Sequence, residues 1–75
     1  MNQPQVTYRG FVIMPMAAFD GGLYAAMTII SDTGGLQRAT GVLGHFASVE
    51  EARAFALVAG KDEVDRRLWH SAAAA

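Results

Sequence analysis

The sequence predicts an α+β fold, in which a three-stranded antiparallel meander is followed by one C-terminal helix packed on one sheet face (βββα). Three observations predict it. Segments rich in β-branched and aromatic residues occupy the first part of the chain, as is typical of strands. Short glycine-containing turns separate these segments, which suits antiparallel neighbours. A single stretch, residues 48–68, has the composition and the cap of a helix.

The first predicted strand spans residues 6–16 and follows a polar tail, residues 1–5. Gly10 indicates a bulge within the strand. Pro15 has no amide hydrogen to donate to a neighbouring strand, so it places this strand at a sheet edge or ends it there.

The second and third predicted strands each follow a turn. Residues 23–31 come after an Asp-Gly-Gly turn, and no charged residue interrupts them. Residues 36–46 come after an Asp-Thr-Gly-Gly turn. Gly41 and Gly44 interrupt this third strand, and such glycines weaken a strand or mark a bend in it.

The predicted helix begins at Ser48, whose hydroxyl accepts a hydrogen bond from a free backbone amide of the first turn. Glu51 stands three residues later and completes a capping box. Small apolar residues share one helical face, and Phe55 is the only large side chain at its centre. We therefore expect Phe55 to anchor the core. Gly60 marks close backbone packing, a kink or a break, and the helix is predicted to end near Leu68.

Length and composition predict a single domain, residues 1–75, with an ordered core of about residues 6–69 and a C-terminal tail, residues 70–75. The chain has no cysteine, which excludes disulfides and thiolate zinc sites. Hydrophobic residues make up 52% of the chain and charged residues only 17%, which favours association. The formal net charge of −1 argues against nucleic-acid and anionic-membrane partners. Without an export signal or a membrane-spanning run, we expect a cytoplasmic protein with no membrane partner.

No motif indicates catalysis, a cofactor or a metal. His45 and His70 have no neighbouring ligand residues in the sequence, and a metal site needs several. Asp62, Glu63 and Asp65 alternate with basic residues, as on a solvated helix face. No glycine-rich phosphate loop is present. We therefore expect no enzyme activity.

Several short motifs are spread over nearly the whole chain. They are Tyr8-Arg9-Gly10, Asp20-Gly21 followed by Leu23-Tyr24, the helix entry Phe46-Ala47-Ser48-x-Glu50-Glu51-Ala52, Gly60-Lys61 and Val64-Asp65. In these motifs the chain resembles a group of small uncharacterised βββα proteins of proteobacteria. The resemblance implies the βββα fold and a bacterial cytoplasmic setting, and it brings no catalytic residue.

The leading functional hypothesis is a non-enzymatic, homo-oligomeric interaction or regulatory module. The first two strands carry apolar residues on both faces, yet one helix covers only one face, and a homodimer would bury the other. The predicted helix side consists of Phe11, Ile13, Leu23, Met27 and Ile29. The predicted dimer face consists of Val12, Met14, Tyr24, Thr28 and Ile30.

Two alternatives remain open at the level of sequence. The first is a nucleic-acid-binding module that uses the exposed sheet or loops, with Arg9 and Arg38 as contacts, because some DNA-binding modules share this strand order. The second is a small-ligand sensor with a pocket between subunits, since Met14, Met16 and Met27 are suited to lining an adaptable apolar pocket.

Overall fold

The computed structural model describes residues 5–74, with side chains described as far as Leu68. In chain order the elements are β1 (Val6–Tyr8), β2 (Phe11–Asp20), β3 (Leu23–Ser31), β4 (Gln37–Ala39), β5 (Gly44–Phe46) and α1 (Val49–Ala74). The strands form one antiparallel sheet in the order β1-β2-β3-β4, and β5 pairs with β3. The helix packs on one face of β2 and β3, so the predicted α+β class is confirmed.

The first predicted strand is in fact a hairpin of β1 and β2. Arg9 and Gly10 form its turn with φ angles of 52° and 88°, the geometry of a two-residue turn in which both residues are left-handed. Tyr8 therefore pairs with Phe11, and Gly10 belongs to a turn rather than a bulge. Among the described residues, β1 pairs only with residues 11–13, so buried Pro15 lies where β2 has no described neighbour on that side.

A second two-residue turn, Gly21-Gly22, joins β2 to β3 with φ angles of 59° and 93°. Asp20 pairs with Leu23 across it. Along this hairpin each odd-numbered residue of β2 is therefore opposite an even-numbered residue of β3, as in the pair of Ile13 with Ile30. Because cross-strand partners point to the same face, this turn fixes which residues lie under the helix.

The third predicted strand is interrupted by a two-residue bulge. The amide of Thr40 donates to the Thr28 carbonyl at 3.0 Å, and the amide of Leu43 donates to the Ala26 carbonyl at 2.7 Å. Between them, Gly41 with φ of 78° lies outside the ladder. Since two residues are inserted, the alternation of faces is the same in β4 and β5.

The helix begins as predicted. The Ser48 hydroxyl accepts from the amide of Glu51 at 3.1 Å and donates to its carboxylate, also at 3.1 Å. The cap is thus confirmed, with the carboxylate bonded to the hydroxyl rather than to the Ser48 amide. The helix passes through Gly60 without a break and continues beyond the predicted end, Leu68, to Ala74.

Small residues bring the helix close to the sheet. Ala52 and Ala56 are fully buried. A Cβ atom added at Gly60 would lie 2.7 Å from Ile13 Cγ2 and 3.3 Å from Thr28 Oγ1. Of the three sequence interpretations of Gly60, close backbone packing is therefore the one observed.

The prediction that Phe55 anchors the core is wrong. Phe55 is 43% exposed, and its ring lies 5.1 Å from that of Phe46, measured between centroids. The fully buried large side chains are those of Ile13, Ile30 and Val64. The predicted helix face was centred on Phe55, whereas the observed face is centred on the small residues Ala52 and Ala56. Small side chains allow the helix to approach the sheet closely, and a large aromatic ring does not.

Candidate functional site

The sheet face opposite the helix is apolar, and no described element covers it. We call it the open face. It consists of Val12, Met14, Met16 and Ala18 of β2 and Leu23, Ala25, Met27 and Ile29 of β3. Cross-strand pairs such as Met16 with Met27 and Met14 with Ile29 make it continuous. None of these side chains is charged, so this face is a contiguous hydrophobic surface of the kind that soluble monomers rarely present.

Two of the five residues of the predicted dimer face lie on the open face, and the other three lie under the helix. Val12 and Met14 lie on the open face, as expected. Thr28 and Ile30 are instead fully buried on the helix side, where Tyr24 packs against the buried alanines.

The error lies entirely in β3. Phe11 and Ile13 do lie on the helix side, but Leu23, Met27 and Ile29, which were assigned to it, lie on the open face. The sequence interpretation matched odd-numbered residues in both strands, whereas the two-residue turn matches odd with even.

A hydrogen-bonded pair of polar side chains lies at the edge of the open face. His45 of β5 is placed next to Ala25, and its Nε2 lies 2.9 Å from Asp20 Oδ2. The sequence interpretation found no partner for His45, because Asp20 is distant along the chain. The two residues come together because β3 pairs with β2, which carries Asp20, and with β5, which carries His45. Across the described residues no group of three or more His, Cys, Asp or Glu side chains is placed to hold a metal ion. The side chain of His70 lies outside the described part.

A cluster around Asp65 joins the helix to the β1–β2 turn. The Tyr8 hydroxyl donates to both carboxylate oxygens of Asp65, at 3.0 and 3.1 Å. Arg9 Nη1 donates to Asp65 Oδ1 at 2.8 Å, and Lys61 Nζ lies 5.5 Å from the centroid of the Tyr8 ring.

The electrostatics of this cluster favour a structural role. The hydrogen bond to Asp65 raises the pKa of the Tyr8 phenol above its ordinary value and likewise raises the pKa of Arg9. A phenol with a raised pKa is a weaker acid, so less of it is ionised at neutral pH to act as a base. The carboxylate of Asp65 already accepts from two side chains, so this cluster fastens the helix to the hairpin.

A second polar cluster lies at the opposite sheet edge, in a cleft between β4 and α1. We call it the arginine cleft, after Arg38, Arg66 and Arg67, which line it together with Glu63, Leu43 and Ala59. Glu63 Oε2 lies 3.2 Å from Arg67 Nε, and Glu63 Oε1 lies 3.5 Å from Arg66 Nη2.

The two arginines predicted as nucleic-acid contacts are not brought together. Arg9 lies in the β1–β2 turn and is paired with Asp65. Arg38 lies on β4, beyond β2 and β3, and faces the arginine cleft. They lie at opposite edges of the sheet, where Arg66 lines the pocket beside each of them, and neither lies on the open face.

Sequence reasoning missed Arg53. Its Nε is buried and has no hydrogen-bond partner among the described residues, although the residue as a whole is half-buried. Helical spacing gave a signal, because Arg53 precedes buried Ala56 by three residues and half-buried Leu57 by four. An arginine at that spacing extends its aliphatic part along the sheet-facing side of the helix.

In the part of the chain that the structure describes, no helix is long and apolar enough to cross a membrane. Comparisons of the chain with protein-family models, with curated proteins and with solved structures find no match.

Proposed function

We propose that this protein is a non-enzymatic interaction module that works as a homodimer, with the open faces of two copies packed against each other. The observation that carries the proposal is the continuous, uncharged open face on the side of the sheet that the helix does not cover. A two-fold dimer would give four layers in the order helix, sheet, sheet, helix. It would bury the same surface of both copies, which is the commonest arrangement of homo-oligomers.

The residue pattern of the open face is that of a surface buried in an interface rather than one exposed to water. An antiparallel sheet with one face in water alternates apolar and polar residues along its strands. On the open face the alternate positions carry methionine, isoleucine, valine, leucine and alanine. The polar residues of this face lie at its periphery: Thr7 opposite Val12, Gln37 opposite Ser31, and the hydrogen-bonded Asp20 and His45 beside Ala25.

The size of the face limits the dimer interface. A strand of nine residues such as β3 extends about 30 Å at ~3.3 Å per residue, whereas the three-residue strands β1, β4 and β5 extend about 10 Å each. At a strand spacing of about 4.8 Å, the sheet therefore measures roughly 430 Å² in plan. This is about half of the roughly 800 Å² per partner of a standard interface, so we expect a small dimer interface in which each central side chain matters.

We further propose that the protein has no catalytic activity and that it works in the cytoplasm. The carboxylates of Asp20, Glu63 and Asp65 pair with an imidazole, guanidinium groups, and a phenol together with a guanidinium group, respectively, which supports structural roles for them. A chain without cysteine suits the reducing cytoplasm, where we place the dimer.

Sedimentation equilibrium with charged variants tests the proposal. Met16→Glu and Met27→Glu each put a carboxylate at the centre of the open face, so we expect the dimer to become a monomer of one 8.0 kDa chain. Val58→Glu is the matched control, because Val58 is 57% exposed on the helix; this variant should stay dimeric. Circular dichroism checks that the helix is kept. A wild-type protein that is monomeric at tens of micromolar, or a Val58→Glu variant that dissociates like the other two, contradicts the proposal.

A further inference from the structure

We infer that the arginine cleft binds a small organic phosphate, independently of the dimer. The cleft has a volume of about 310 Å³, at the lower end of the range for small-molecule sites. It lies between β4 and α1 on the helix side of the sheet, away from the open face. Its walls combine cationic and apolar groups, which is the pairing that a phosphate with an organic body requires.

The charge of the cleft is unbalanced. Arg38, Arg66 and Arg67 face it with a single carboxylate, that of Glu63. Glu63 is shared between Arg66 and Arg67, whereas Arg38 has no ion pair among the described residues. The lining therefore carries a formal excess of two positive charges, which comes from three arginines and one glutamate.

This excess matches a phosphate monoester. Such a group carries about −1.5 to −2 charges at pH 7 and presents three acceptor oxygens. The planar guanidinium fork suits phosphate oxygens in a bidentate arrangement. Leu43 and Ala59 supply the apolar wall for the organic part of the molecule.

The basic groups are held in place by two different elements. The pairing of Arg38 with buried Ile30 fixes Arg38 on the sheet and directs it to the helix side. On the helix, the Arg67 side chain is only 28% exposed and donates to Glu63 one turn earlier. A ligand held between β4 and α1 would thus meet one guanidinium group, that of Arg67, which the fold already orients, and this lowers the entropic cost of binding.

Titration with phenyl phosphate tests the inference, with amide chemical shifts as the measurement. We expect saturable shifts in β4 and in the segment of α1 that lines the cleft, and tighter binding than for inorganic phosphate or phenol. Arg38→Gln should weaken binding at least about tenfold, because a charge-assisted contact is lost. Lys61→Gln removes one positive charge from a residue that does not line the cleft and should leave the affinity within about twofold.

Three outcomes would overturn the inference. The first is an absence of saturable shifts at millimolar phenyl phosphate. The second is an equal loss of affinity in Lys61→Gln and Arg38→Gln, which would show attraction by overall charge alone. The third is equal affinity for inorganic and phenyl phosphate, which would rule out an organic ligand. Because the Met16→Glu variant keeps the cleft intact, it should bind phenyl phosphate normally even as a monomer, so the test is separate from that of the dimer.

Discussion

Gly60→Ala is expected to destabilise the protein, although alanine is the better helix former. The helix propensity of alanine would favour the variant by about 1 kcal/mol. Against this, the new methyl group would lie 2.7 Å from Ile13 Cγ2, and Ile13 is fully buried beside Ile30 and Val64. Overpacking of this kind costs about 1–3 kcal/mol.

The hydroxyl of Thr28 adds to the cost. It would lie 3.3 Å from the new methyl group and donates to the Met14 carbonyl at 3.2 Å, a bond worth about 1 kcal/mol. The net loss for Gly60→Ala is therefore about 1–3 kcal/mol. At about 4–8 °C per kcal/mol for a domain of this size, the Tm should fall by roughly 4–24 °C.

Thermal melts at one fixed protein concentration measure this loss, since the Tm of a dimer depends on concentration. Ala54→Gly, at an exposed helix position, is the reverse substitution and should lose only the propensity difference of about 1 kcal/mol. Ile13→Ala removes the clashing atoms, so Gly60→Ala should be less harmful in that background. A Gly60→Ala variant with a raised Tm would refute the close packing of helix and sheet.

Three further predictions concern stability. Ser48→Ala should cost about 1 kcal/mol and shift the amide resonance of Glu51, whereas Ser48→Asp should be tolerated; an unmoved Glu51 resonance would contradict the cap. Arg53→Met should raise the free energy of urea unfolding by about 1 kcal/mol, because it removes a buried, unpaired donor; a loss of stability would show that Arg53 has a partner. The pKa of Tyr8 is higher in the folded state than its ordinary value of 10.0. The hydrogen bond that protonated Tyr8 donates to Asp65 therefore stabilises the folded state fully below pH 10.0, and this stabilisation is lost as the pH rises through the raised pKa. Tyr8→Phe should therefore make stability less sensitive to alkaline pH, and an unchanged pH profile would contradict this.

The sequence predicts the fold class because its signals are local. The Asp20-Gly21 turn and the Ser48 cap each depend on neighbouring residues only, and both are observed. The Arg9-Gly10 turn was missed because an arginine with positive φ is uncommon. The bulge after Thr40 was foreseen only as a weakness at Gly41, since the hydrogen bonds that flank it depend on β3.

The apolar character of the open face was predicted, but not the residues that form it. It follows from composition, because both faces of the first two strands are apolar. The side on which Met27 and Ile30 point depends on register, and a shift of one residue reverses every side chain of a strand. The partnership of His45 with Asp20 and the arginine cleft both depend on tertiary structure, so spacing along the chain gives no signal for either.

Intermolecular NOEs between methyl groups test the central claim most directly. The protein is mixed from two preparations, one with 13C-labelled methionine methyls and one unlabelled, and a filtered experiment detects contacts between subunits only. We predict intermolecular NOEs from Met16 and Met27 to methyl groups of the partner's open face. A dimer whose methionine methyls show no intermolecular NOE would contradict the account. So would a dimer in which the methionine methyls show NOEs to Val42 or Val58 of the partner instead of to its open face.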